Sequence, residues 1–363
     1  MGEQYLHPWL FSLVMQSIRL KLQQRYKGTT HVMFAVADHF EPNWRTTSYH
    51  DEVMRVDTWV NQYPKLARNH KDAEGKFPQY TFFFPAEGYV AAHLKSLAQL
   101  CENGFGEVEI HLHHNNDTSD GLKKKIEDYK IQLESHGLLS KDSAGKIRYG
   151  FIHGNWALNN SRRDGKWCGV NNELQILKDT GCYADFSLPS APSDTQTRKI
   201  NSIYYAKDNP LKRKSHNWGV DVEIGKEPSG DLMLIQGPLT LNWSRRKWQI
   251  FPTIENGEIS NIRYPSQSRV DAWIKKGISV KGAPNFIFIK VHTHGCMDKN
   301  MEVLLGKPFD EMLSYMERKY NDGKNYVLHY VTTREMFNII KAIESRQFID
   351  FQHARDFLLK PIR

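Results

Sequence analysis

Seven histidines in this chain sit where apolar, β-favouring runs give out. "FAVADHFEP" (34–42) delivers Asp38, His39 and Glu41 at the end of such a run. "EIHLHHNND" (109–117) adds His111, His113, His114 and Asp117, and "HTHG" (292–295) adds His292 and His294. "HGNW" (153–156) and the 183–188 run contribute His153, Asn155, Trp156, Asp185 and Ser187. Imidazole and carboxylate are the donors that zinc and similar divalent ions take from proteins. The same groups move protons as general acids and bases. A lone His-x-His implies little, because alternate strand residues share a face in any case. Gathered on one rim, these residues imply a metal site.

Such a rim requires strands that end together. Candidate strands fall at 31–37, 79–84, 107–112, 147–152, 183–188, 285–291 and 326–331. Helix-like stretches at 51–68, 89–103 and 120–137 separate the early ones. That alternation predicts βα units and a largely parallel sheet, whose ligands bind beyond the carboxyl ends of its strands. Residues 196–282 read as a β-rich insertion with two hairpins, the second turning at Asn256-Gly257.

The order of these motifs resembles the polysaccharide deacetylases of carbohydrate esterase family 4, the group with the NodB homology domain. The resemblance spans roughly 31–195 and 284–335. It implies a distorted (β/α)7-type barrel from residue 28 to 363, a divalent metal cofactor with zinc foremost, and removal of acetyl groups from an acetylated sugar or polysaccharide precursor. Laid on the family's motifs, Asp38 matches the general base and His39 the metal-binding aspartate. His113 and Asp117 match the His-x-x-x-His ligand pair, with His111 or His114 as alternatives to Asp117, and His292 matches the general acid, with His294 the runner-up. Glu41, His153, Asn155, Trp156, Asp185 and His294 are left to line the substrate pocket. Two positions depart from the pattern, His39 for an aspartate and Asp117 for a histidine. Together they exchange one carboxylate for one imidazole and keep the charge of the set.

Composition bounds the remaining possibilities. The chain has 363 residues, 40% hydrophobic and 25% charged, with a net charge of +8. No apolar run reaches eighteen residues, and the N-terminus has neither the lead-in nor the cleavage site of a secretory signal. Four scattered cysteines without a CxxC pair fit a reducing, cytoplasmic setting. Residues 1–27 read as an amphipathic helix with Leu10, Leu13, Val14, Ile18 and Leu22 on one face and Arg19, Lys21, Arg25 and Lys27 nearby. That pattern suits packing on the main domain, or peripheral contact with an anionic membrane whose lipid-linked glycans would be substrates. The basic residues are spread too evenly to mark a nucleic-acid interface. Rival readings are a glycosidase on a related barrel, which needs paired carboxylates across the sugar, and a disabled barrel that only binds carbohydrate.

Overall fold

The computed structural model describes residues 9–22 and 26–362. Helix α1 (Trp9–Leu22) precedes a series of strand–helix units. These are β1 (Thr30–His39), α2 (Tyr49–Ala67), β2 (Tyr80–Pro85), α3 (Ala91–Glu102), β3 (Gly106–Leu112), α4 (Ser119–Ser135), β4 (Ser140–Lys141), β5 (Ile147–His153), α5 (Glu173–Asp179) and β6 (Cys182–Asp185). A β-rich stretch follows, with β7 (Ile203–Ala206), β8 (Val220–Asp221), β9 (Leu232–Ile235), β10 (Thr240–Lys247) and β11 (Phe251–Glu255). The chain then forms α6 (Gln267–Lys276), β12 (Phe286–Thr293), α7 (Asp298–Leu304), α8 (Lys307–Tyr320), β13 (Tyr326–Tyr330), α9 (Thr333–Glu344), α10 (Phe351–Ala354) and β14 (Lys360–Pro361).

The main sheet runs β12-β1-β2-β3-β5-β6-β9-β7-β8, parallel from β12 to β9. β1 forks its neighbours: β13 pairs with Thr30–Phe34 and β2 with Val36–His39, on the strand's two halves. The sheet is strongly curled. Strands about 4.8 Å apart would leave β12 and β6 about 24 Å apart in a flat sheet. Yet Lys290 of β12 donates to the carbonyls of Phe186 and Leu188, just past β6, at 2.7 and 2.6 Å. Among the described residues, no ladder joins β12 to the far strands, so backbone pairing does not complete the expected barrel.

Side-chain alternation along β1 divides the core in two. Val32, Phe34 and Val36 pack outward on Val56, Trp59 and Tyr63 of α2. Met33, Ala35 and Ala37 face the concave side with Ile152, Met233 and Phe288. Met336, Ile339 and Ile340 of α9 pack into that inner cluster. A capping box starts α9, with the Thr332 hydroxyl accepting from the Glu335 amide and the Glu335 carboxylate from that of Thr332.

One expectation needs correction, the position of the second hairpin turn, and two others gain detail. Within the 196–282 stretch, β9 enters the main sheet as the parallel neighbour of β6. The β10–β11 hairpin turns at Trp248 and Gln249, both with positive φ, and Gly257 instead accepts from the His292 amide. Helix α1 buries Trp9 and Leu13 against Ala191, Ile200 and Leu239, leaving Phe11, Val14, Met15 and Ile18 exposed. Residues 1–8 and Arg25, and the side chains of Arg19, Lys21 and Leu22, lie outside the described residues.

Candidate metal centre

Parity along the strands decides which polar residues meet. His39 follows Met33, Ala35 and Ala37 on the concave side. Ala37 is level with His292 on β12, and His39 with Phe83 on β2. Phe83 is level with Glu109 on β3, so His111, two residues on, shares the concave face. The rings confirm the gathering. His39 lies 4.8 Å from His111, 4.6 Å from His294 (stacked) and 6.5 Å from His292, while His111 lies 4.6 Å from His113.

Within this cluster one donor set closes to ligand distance. Glu41 Oε1 is 3.3 Å from His113 Nε2 and 3.8 Å from His111 Nε2, and the three ligand atoms lie within 4.8 Å of one another. Each imidazole is oriented from behind. His111 Nδ1 donates to the Ile152 carbonyl at 2.8 Å, which leaves a buried Nε2 lone pair without a partner. His113 Nδ1 is hydrogen-bonded to the Glu87 carboxylate. A carbonyl or carboxylate behind each ring is the outer-shell arrangement of metal-ligating histidines. Glu41, His111 and His113 therefore fit a divalent ion.

Electrostatics around the set follow from burial and charge pairing. Burial pushes Glu41 up, but the neighbouring imidazoles of His111, His294 and His113 outweigh this and hold it below the usual carboxylate range. Burial lowers His113, and Glu87 more than reverses the shift. Burial, then the surrounding histidines, hold His39 well below an ordinary imidazole. His292 is lowered likewise by burial and then Lys290, and His294 mainly by burial. Three neutral imidazoles thus border the donor set.

The remaining predicted residues divide by face. His294 and Trp156 belong to the pocket: the Trp156 ring is 5.8 Å from His39 and 5.9 Å from His294. Asn155 and Trp156 form a left-handed turn after β5, with φ of 53° and 54°. Asp38, expected as the base, points the other way, toward the α2 layer. It accepts from the Gly295 amide at 2.6 Å and the Tyr80 hydroxyl at 2.9 Å, and burial raises its pKa to about 7.

Asp117, expected as a ligand, does not join His113. It pairs with Lys125 at 2.7 Å and lies 3.3 Å from His114 Nδ1. His153 lies on the outer face beside His114, with Nε2 atoms 2.8 Å apart. Asp185 is also on the outer face, accepting from the Ser187 hydroxyl and amide. Two members of the site escaped the sequence reading. Glu87 follows β2 as directly as Glu41 follows β1, so the strand-end rule would have found it. Trp44, whose ring is 6.0 Å from His294, carries no such signal.

No protein-family model matches this chain, and no curated protein is similar to it.

Proposed function

We propose that this protein is a zinc-dependent hydrolase acting on acylated carbohydrate, an N-deacetylase on a distorted barrel of the polysaccharide deacetylase kind. One observation carries the reading: Glu41, His111 and His113 converge at the strand ends with both imidazoles oriented from behind. Two histidines and a carboxylate suit zinc, and a bound ion supplies Lewis acidity to water and to an acyl carbonyl.

The chain's own groups perform the remaining tasks. His39, His292 and His294, held neutral, accept a proton from attacking water and deliver one to the departing amine. His292 Nδ1 is buried and unpartnered, free for that exchange. Trp44 and Trp156 offer flat faces to a sugar ring, and each has an unpartnered indole N–H to donate. Asp38 is a positioning residue. It grips the Gly295 amide, and through it the segment carrying His294.

The substrate class extends to lipid-linked sugars. The exposed apolar residues of α1 support peripheral lipid contact, as does the hairpin tip. There Trp243, Trp248, Ile250 and Phe251 are exposed beside Arg245, Arg246 and Lys247. Aromatic and basic residues together are what a membrane interface selects.

The test is elemental analysis beside acetate release from acetylated oligosaccharides. His111→Ala should lose one equivalent of metal and at least about 100-fold of the activity. Asp117→Asn should retain the metal. Full metal occupancy in His111→Ala, or no acetate release by metal-loaded wild type, would reject the proposal.

A further inference from the structure

The outer face of the same strand ends holds a second convergence of donors. His114 follows β3, His153 ends β5 and Glu173 opens α5, and all three are buried. Their facing atoms are close together. His114 Nε2 is 2.8 Å from His153 Nε2 and 3.0 Å from Glu173 Oε1, and His153 Nε2 is 3.4 Å from that oxygen. Ligand atoms around a tetrahedral zinc lie about 3.3 Å apart, given zinc–ligand bonds of about 2.0 Å.

The hydrogen-bond bookkeeping points to a cation between them. His153 Nδ1 donates to the Gly154 carbonyl at 2.5 Å, so its Nε2 presents a lone pair. Asp117 Oδ2 lies 3.3 Å from His114 Nδ1 without hydrogen-bonding to it, and its negative charge favours a proton there and a second lone pair at Nε2. The free oxygen of Glu173 is occupied in turn, accepting from the Asn159 amide. Two lone pairs and an anionic oxygen then face one another in a site without water access. A proton on His114 Nε2 satisfies one neighbour and leaves His153 Nε2 opposing Glu173. A divalent ion satisfies all three.

An independent observation lies alongside. His216 is fully buried, neither ring nitrogen has a partner, and it lies within electrostatic reach of Glu173 and His153.

We infer that His114, His153 and Glu173 form a second, fully buried zinc site with a structural role, distinct from the set at Glu41. A metal held by buried side chains away from solvent ties chain segments together, and its binding energy adds to folding energy. This one would tie the segment after β3 to the end of β5 and the start of α5. It would also brace the first centre. A Cβ on Gly154, next to the ligand His153, would lie 2.2 Å from His113 Cδ2, so the backbone fixed by the second site is the wall against which His113 packs.

The test removes the first site and asks whether a metal remains. The full chain carrying His111→Ala/His113→Ala is produced in zinc-supplemented and in cobalt-supplemented medium, then dialysed. One equivalent of zinc should remain, and the cobalt form should show the visible absorption of tetrahedral Co(II). Adding Glu173→Gln, or separately His153→Gln, should abolish both signals. No retained metal in the double variant overturns the inference, as does cobalt absorption that survives the Glu173 and His153 changes. Should those added variants fail to fold, metal content and absorption of the double variant decide alone. The outcome does not depend on whether the first site deacetylates anything.

Discussion

Glu87 illustrates how a residue outside a candidate donor set can shape it. Its carboxylate orients His113 from behind and offsets the burial that would otherwise lower the ring's basicity. Glu87→Ala should weaken metal retention about 10- to 100-fold while leaving the fold intact, as read by equilibrium dialysis and by circular dichroism. Retention equal to wild type would assign Glu87 to the surface. Gly295 makes the complementary case. A Cβ there would lie 2.0 Å from Asp38 Oδ2 and 2.8 Å from the Trp59 ring. Neither group can withdraw, since Asp38 is held at both oxygens and Trp59 donates to the Gly295 carbonyl. Gly295→Ala should cost about 1–3 kcal/mol in urea unfolding. It should also depress activity further by displacing His294, and an unchanged unfolding midpoint would remove Asp38 from its holding role.

At the scale of elements, the strands were largely legible. The runs read at 107–112, 147–152 and 326–331 correspond to Gly106–Leu112, Ile147–His153 and Tyr326–Tyr330, because apolar β-favouring runs bounded by turn residues have few alternatives. The candidate donor set also lies at strand ends. Which residues enter it depends on parity, and parity was readable for His39 with Glu41 and for His111 with His113. Matching a family motif instead set Asp38 and His39 to work on one pocket, although strand neighbours face opposite ways. The destination of "LMLI" in β9 was not legible, since four apolar residues suit a hairpin and a buried parallel strand equally. The fork at β1 carries its own prediction. His31 of β1 and His329 of β13 share a 3.1 Å contact, and burial, then His329, lower the His31 pKa to about 4. Above pH 6.5 both folded and unfolded chains leave this group neutral. Between 6.5 and about 4 the unfolded chain alone takes up the proton, so stability falls as pH falls, by at most about 1.4 kcal/mol per pH unit and less for partial exposure. Urea midpoints of His31→Gln should therefore decline less steeply over that window. Parallel declines would refute the assignment.

For the molecule as a whole, no helix among the described residues is long and apolar enough to cross a membrane. Lipid contact would have to come from the surface. The hairpin tip supplies Trp248 at 73% exposure and Trp243 at 59%, with the Lys247 ammonium 4.7 Å from the Trp248 ring centroid. Wild type should sediment with phosphatidylglycerol vesicles at low salt and release at high salt. Trp243→Ser/Trp248→Ser should reduce the bound fraction several-fold, and wild type that stays in the supernatant would rule out this mode of attachment. One feature of the architecture bears on how freely the sequence can drift. His113 and His114 are chain neighbours, yet each serves a different cluster on an opposite side of the sheet. Losing or gaining a single residue within β3 would send both imidazoles to the wrong address at once, each arriving among partners chosen for the other. Length in this strand is thus pinned from two directions, and indels that neighbouring loops absorb should be lethal here.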